Sequence, residues 1–472
     1  MISDKVKKRL ASIVGRENAT FAAEDLICYA YDATNQDFRP EGVLFAGTVG
    51  EVSEILRLAN EEGFFVVPRG AGTGFTGGSL PVKGGIVLSL ERMTNIVEID
   101  ETNLTATVEP GVIPWELGQE LTPLGLFYPP DPTSYKFATI GGTIAECAGG
   151  PSAVKYGVTR DYILGLEAVL PTGEIIRTGT ATMKGVVGYD LTRLLVGSEG
   201  TLAVVTQATL RLLPLPEAKK TLLAVFPGLE AAASAVAEIT RAGIIPATLE
   251  IMDPASVRCA TEYTGTELPS ESALLLIEVD GPVESVEKDT LGIEKIAAAS
   301  GATEVRQATD KKEVKDLWKT RRAMSAALFR LRPNKINEDV VVPRASIVEL
   351  VRGIEEIARR SGLLIVSFGH AGDGNIHVNI MYDKSDPKEA VAAEAAVAAV
   401  FDLTLGLNGT ISGEHGVGTS KARYIGMELP PQTLHLMKSI KQVFDPVGIL
   451  NPGKIFPPHD KEDGFATAGS AR

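Results

Sequence analysis

The sequence predicts an α+β protein of two domains, and three observations carry that prediction. Short apolar runs of β type alternate irregularly with amphipathic helical stretches along most of the chain. The first part is strand-rich and holds two glycine-dense stretches, after which Pro214-Leu215-Pro216 marks a boundary. Beyond it a β-α-β-β succession and further helices lead to a histidine-bearing hairpin at Ser367–Asn379. The domains are drawn at residues 1–217 and 218–457, with a polar tail at 458–472 expected to be disordered.

Residues up to about 35 read as helical, and Val49-Gly50-Glu51-Val52-Ser53 leads into a helix through Asn60. Phe64–Val67 is a strand. Pro68 to Ser79 follows, with a literal G-x-G-x-x-G at Gly72, Gly74 and Gly77. A dinucleotide fold needs a helix directly after that motif, to aim its N-terminus at a pyrophosphate. Here the chain runs on into another strand, Ile86–Leu90, so the match is rejected. The loop still offers closely spaced N–H groups with no Cβ in the way, a nest fit for a diphosphate. A second such region spans Tyr128–Ser134 and Thr139–Gly150, before β-type segments at Ile163–Leu170, Glu174–Thr178 and Gly200–Leu213. Two glycine-rich loops in one strand-rich domain point to one extended ligand with a diphosphate at its middle.

In the second domain, strands are expected at Thr221–Phe226, Ala247–Met252, Leu274–Val279 and Glu338–Val342. Helices are expected at Leu229–Ala242, Val283–Ala299, Lys312–Leu331 and Ala345–Ser361. The hairpin then joins Leu363-Leu364-Ile365-Val366 to Ile376–Ile380 through Ala371-Gly372-Asp373-Gly374-Asn375. Side chains alternate along a strand, so His377 and Asn379 share one face and Ile376, Val378 and Ile380 the other. His370 is placed to meet His377 across the turn. Two converging imidazoles suit a divalent metal, with Glu414 as a hard oxygen ligand from a distant loop. On the hairpin alone, a hydrogen-bonded histidine pair competes evenly with that reading. The segment Gly413-Glu414-His415-Gly416-Val417-Gly418 favours the metal, because three of the chain's five histidines then fall together. The last part, Pro430–Pro457, holds a helix and then Asp445–Lys454.

With 60 acidic and 46 basic residues, the net charge of −14 argues against a nucleic-acid surface. Cys28, Cys147 and Cys259 are too scattered for a disulfide framework or an iron–sulfur motif. The N-terminus lacks an apolar signal core, and the most apolar helix, Glu389–Leu407, is interrupted by Glu394 and Asp402. A soluble, cytoplasmic protein is expected, reaching a membrane only through a partner.

Together these motifs resemble the flavin-dependent dehydrogenases of the vanillyl-alcohol-oxidase fold, and within it the D-lactate/glycolate/D-2-hydroxyglutarate dehydrogenase branch. The signatures occur in the family's order: Pro68–Ser79, Pro129–Gly150, Val196–Leu202, Gly369–Asn379, and Gly413–Gly418 with Asn451–Lys454. The resemblance implies an FAD-binding domain of two α/β subdomains, then a ferredoxin-like α+β substrate domain with a C-terminal helical segment. It assigns the flavin diphosphate to Pro68, Arg69, Gly70, Ala71, Gly72, Thr73, Gly77, Gly78 and Ser79. The rest of FAD falls to Pro132, Ser134, Thr139, Gly142, Gly149, Gly200, Thr201 and Val205, with Asn451 over the ring. It makes His370, His377 and Glu414 ligands of a divalent metal (zinc, manganese or iron). It makes His415 the base, Arg321 the carboxylate clamp and Asn379 a polar group beside substrate.

Thr143 and Cys147 stand where relatives often have asparagine, and Asn337 stands where dicarboxylate-specific relatives carry lysine. A monocarboxylate, D-lactate or glycolate, is therefore favoured over D-2-hydroxyglutarate; a flavin-dependent transferase of the same fold is the other alternative. Neither flavin loop contains histidine, so FAD is expected to be non-covalent. Electrons are expected to pass to an electron-transfer flavoprotein, an iron–sulfur subunit or a quinone, in a homodimer or hetero-complex.

Overall fold

The computed structural model describes residues 2–457, so the expected disordered tail at 458–472 lies outside the described residues. The first sheet has Gly42–Phe45, Ile86–Ser89 and Val66–Arg69 in parallel, with Ala19–Thr20 antiparallel at its edge. Parallel neighbours need a long connection, and the chain from 70 to 85 makes it as a glycine-rich loop with no helix. Helix Val49–Glu62 covers this sheet. Thr48 caps it by accepting from the Glu51 N–H, and Gly63 ends it in the left-handed region at φ 71°. Its Val52, Ile55, Leu56 and Ala59 pack on Leu44, Val66, Ile86 and Leu88. Full burial of each large aliphatic here contributes about 1.5–3 kcal/mol.

A five-stranded antiparallel sheet follows, ordered Ile96–Asp100, Thr105–Val108, Val204–Arg211, Ile163–Val169, Ile175–Gly179. From Ala218 onwards the strands enter one seven-stranded antiparallel sheet. Its order is Glu304–Gln307, Ala218–Phe226, Ala273–Gly281, Thr248–Met252, Leu364–His370, Asn375–Tyr382, Asn334–Val341. Helices Leu229–Arg241, Val283–Ala299, Ile347–Ser361 and Pro387–Gly406 bury against one face of it. Helices Pro254–Thr264 and Lys311–Ala327 pack on the other. Ile376, Val378 and Ile380 belong to the first core. His377 and Asn379 therefore point to the second face, as the alternation predicts.

Two expectations need correction. The N-terminal helix covers only Asp4–Val14, because Gly15 at φ 85° stops it and Ala19–Thr20 is drawn into the sheet edge. The second glycine-rich region hides a helix, Ile140–Glu146, capped by the Thr139 hydroxyl on the Gly142 N–H and ended by Cys147 at φ 53°. The chain finally returns to the first sheet, where Val66 N–H donates to Ile449 O and Asn451 N–H to Val66 O. Among the described residues no helix is long and apolar enough to cross a membrane.

Candidate active site

The hairpin strands Leu364–His370 and Asn375–Tyr382 pair with Phe368 opposite His377, so His370 lies diagonally beside His377 on the same face. Their Nε2 atoms are 3.4 Å apart, and Glu414 Oε1 lies 3.3 Å from one and 3.5 Å from the other. All three ligand atoms fall within 4.8 Å of one another. Behind them His370 Nδ1 meets Glu250 Oε1 at 2.6 Å, and Glu250 Oε2 lies 2.5 Å from Arg321 Nη2, an ion pair rather than an aligned hydrogen bond. Arg321 is also held 5.0 Å over the Phe368 ring.

Burial alone would lower His370, yet the carboxylates of Glu250 and Glu414 hold it well above the usual imidazole value. Burial and the charge on His370 push His377 well below it. Burial would raise Glu414, but the three histidines around it, His370 foremost, hold it down to about 2. Two imidazoles and one carboxylate, converging and backed by a second carboxylate on the outer imidazole nitrogen, match the donor set of a divalent cation. The buried His377 Nδ1 has no partner among the described residues.

Asp339 builds the loop that carries Glu414 and His415. Its Oδ2 accepts from the N–H groups of Gly413, Glu414 and His415 at 2.9, 2.6 and 3.0 Å. Its Oδ1 meets Lys421 Nζ and lies 3.4 Å from His415 Nδ1. Burial would raise the Asp339 carboxyl, but His415, Lys421 and the Glu414 N–H hold it far below the carboxylate range. The His415 ring stacks between Phe75, at 5.0 Å, and His377, at 5.3 Å.

This assembly forms one wall of a cleft whose cavity volume is about 430 Å³. Arg321, His377, Glu414 and His415 line it from the second domain. Pro68, Arg69, Gly70, Ala71, Gly72, Thr73, Gly78, Ser79, Pro132, Ser134, Thr139, Gly142, Gly200 and Val205 line it from the first. The glycine walls form a cradle that a side chain would fill. A Cβ on Gly70 would sit 2.2 Å from Thr139 Oγ1, and one on Gly72, at φ 66°, 2.1 Å from Arg69 Nη2. Apolar walls with a few convergent polar groups suit a bound cofactor, and FAD fits the loops' exposed backbone donors.

Six expected site residues do not line the cleft. Gly77, at φ 82°, leaves no room for a Cβ beside Thr419 Oγ1, and Gly149 backs onto Glu414. Thr201 donates to Ser198 O at 2.7 Å. Asn451 is buried and donates to Gly78 O and Glu199 O, tying the loops together from behind. His370 stands behind His377. Asn379 is fully buried, donates to Val366 O and His377 O, and leaves its Oδ1 without a partner among the described residues.

Sequence reasoning missed Glu250, Asp339, Lys421 and Glu199. Glu199 accepts from the N–H groups of Val417 and Gly418, both at 2.7 Å, and so joins the loop that carries Glu414 and His415 to the first domain. An acid inside an otherwise largely apolar strand was the available signal for Glu250, whereas Asp339 sits in a mostly polar strand that gave none.

Residues 215–455 match the family model "FAD linked oxidases, C-terminal domain", and residues 40–179 match "FAD binding domain". The chain is 47% identical over 458 residues to the glycolate oxidase subunit GlcD of Bacillus subtilis, covering 97% of each. It is 36% identical over 447 residues to a D-lactate dehydrogenase of Anaerostipes hadrus, covering 90% of this chain and 93% of that one. Among solved structures, p-cresol methylhydroxylase with bound substrate superposes with a TM-score of 0.80 at 17% identity, covering 96% of both chains. That likeness places the fold with the vanillyl-alcohol-oxidase type. The chain belongs to the FAD-linked D-2-hydroxy-acid dehydrogenase family, and it is an FAD-dependent enzyme of the 2-hydroxy-acid dehydrogenase class.

Proposed function

We propose that the protein oxidises a small D-2-hydroxy acid, D-lactate or glycolate, to the 2-keto acid with the help of a divalent metal. The observation that carries this reading is the convergence of His370, His377 and Glu414 with His415 and Arg321 on the wall facing the glycine-rich loops. When bound, FAD supplies a two-electron acceptor, and a divalent cation supplies Lewis-acid polarisation of the substrate hydroxyl.

Arg321 offers its guanidinium to the substrate carboxylate, its orientation fixed by Glu250 and Phe368. His415 takes the hydroxyl proton at Nε2, because its Nδ1 faces Asp339. Asp339 places a fixed negative charge beside the ring that receives the proton. Phe75 and His377 hold that ring from both sides, which keeps Nε2 aimed at one place. His377, His370 and Glu414 hold the cation, and Glu250 orients His370. Asn337 lines the cleft at the position where dicarboxylate-specific relatives carry lysine, in keeping with a monocarboxylate substrate.

Electrons then pass to a partner, either an electron-transfer flavoprotein, an iron–sulfur subunit or a quinone. The relative described as an oxidase subunit supports a hetero-complex. His415→Ala tests the reading by anaerobic mixing with D-lactate, L-lactate and glycolate. Flavin should stay bound yet fail to bleach with any of them, whereas wild type bleaches with D-lactate or glycolate. Near-normal bleaching in the variant would overturn the assignment of the base.

A further inference from the structure

A side chamber of about 220 Å³ adjoins the cleft, and Thr133, Arg321 and Arg322 line both. The two arginines differ in commitment. Arg321 is buried and paired with Glu250, which also receives His370, so much of its charge is already balanced. Arg322 is exposed, lies 5.1 Å over Trp318 and 5.6 Å over Tyr135, and forms no ion pair with any described residue. Two aromatic faces hold its guanidinium in place without neutralising it. The chamber's carboxylate, Asp131, is engaged by the Ser152 N–H at 3.1 Å and the Ser152 hydroxyl at 2.6 Å. Burial raises that carboxyl to about 6 against those hydrogen bonds.

A chain of net charge −14 repels a 2-hydroxy-acid anion at long range, so productive encounter needs a local positive potential at the cleft. We propose that Arg322 and the side chamber are a capture site for small carboxylate anions, from which the substrate passes to Arg321 and the cleft. This rests on the reading that the substrate is a 2-hydroxy acid.

The test is rapid anaerobic flavin reduction by glycolate and D-lactate in the FAD-loaded enzyme, comparing wild type with Arg322→Ala, Arg322→Lys and Arg322→Glu. The ionic strength is varied from about 20 to about 300 mM, which shortens the screening length several-fold. At low salt the second-order rate constant should fall on the order of tenfold in Arg322→Ala and further in Arg322→Glu. The limiting rate should stay within about twofold, the salt dependence should flatten, and Arg322→Lys should restore most of the loss. Acetate serves as a non-reacting probe, its binding read by tryptophan fluorescence; the response should vanish in Arg322→Ala and persist in Arg322→Lys. An unchanged second-order constant and salt dependence in Arg322→Ala would overturn the proposal. So would an equal loss in the limiting rate, which would place Arg322 in the reaction step. If no 2-hydroxy acid bleaches the wild-type flavin but acetate still binds through Arg322, the substrate reading fails and the capture site stands.

Discussion

Replacing Asp339 with Asn keeps the side-chain shape and removes one buried charge. That charge holds together the loop, His415 and a buried lysine. Asp339 is fully buried, accepts three consecutive backbone N–H groups through Oδ2, and meets Lys421 Nζ through Oδ1. An asparagine has one acceptor oxygen and one N–H₂. Whichever way it turns, two donors face each other, either at Lys421 or at the loop amides. Removing one partner of a buried pair costs about 3–5 kcal/mol. Glu338 Oε2, 3.8 Å from Lys421 Nζ, recovers part of the lost attraction and moves the expected cost to about 3 kcal/mol. For a chain of 472 residues, whose unfolding entropy is about 1 kcal/mol/K, that lowers Tm by about 3 °C. The loop also aims His415, so with His415 as the proposed base the limiting rate of flavin reduction should fall by roughly 10²–10⁴, the range a positioned general base contributes. Scanning calorimetry of the FAD-loaded variant and anaerobic rapid mixing with glycolate measure the two effects. An Asp339→Asn protein with Tm within about 1 °C of wild type and a rate within about threefold would refute this expectation.

Two further outcomes follow from the same network. Glu250→Gln removes the carboxylate that orients His370 and pairs with Arg321, so metal affinity should fall by about 10–100-fold, read by competition with a chelating dye. Glu338 is raised from 4.5 to about 7 by burial, against the pull of Lys421, so charging it in the fold costs about 3 kcal/mol. That cost is absent below the ordinary carboxylate value, grows as pH rises from about 4.5 to about 7, and stays constant above. Glu338→Gln should therefore raise Tm at pH 8 and leave it nearly unchanged at pH 4.5; a loss of stability at pH 8 would contradict the sign.

The period-two alternation at Ile376–Ile380 foretold which face would carry His377, because a strand with one buried core face has its register pinned. The same alternation placed Asn379 with His377 but not its depth. The register sets Asn379 opposite Val366, two pairs further along the hairpin from His377, where its amide is spent on backbone carbonyls. Gly141 and Gly142 obscured the helix Ile140–Glu146, since glycine weakens helix propensity while the Thr139 cap and tertiary packing restore the helix. Glu250, Asp339 and Lys421 escaped for a different reason. Their partners lie 120 residues away for Glu250 and His370, and 82 for Asp339 and Lys421, so only the folded sheet reveals the pairings.

The proposed oxidation depends on His370, His377 and Glu414 holding a cation beside the flavin. Metal analysis of the FAD-loaded protein before and after chelation, paired with anaerobic bleaching by D-lactate or glycolate, tests it most directly. The protein should carry about one divalent cation per chain, lost on chelation together with substrate bleaching while flavin stays bound, and bleaching should return with added metal. Full-rate bleaching in metal-free, flavin-loaded protein would contradict it.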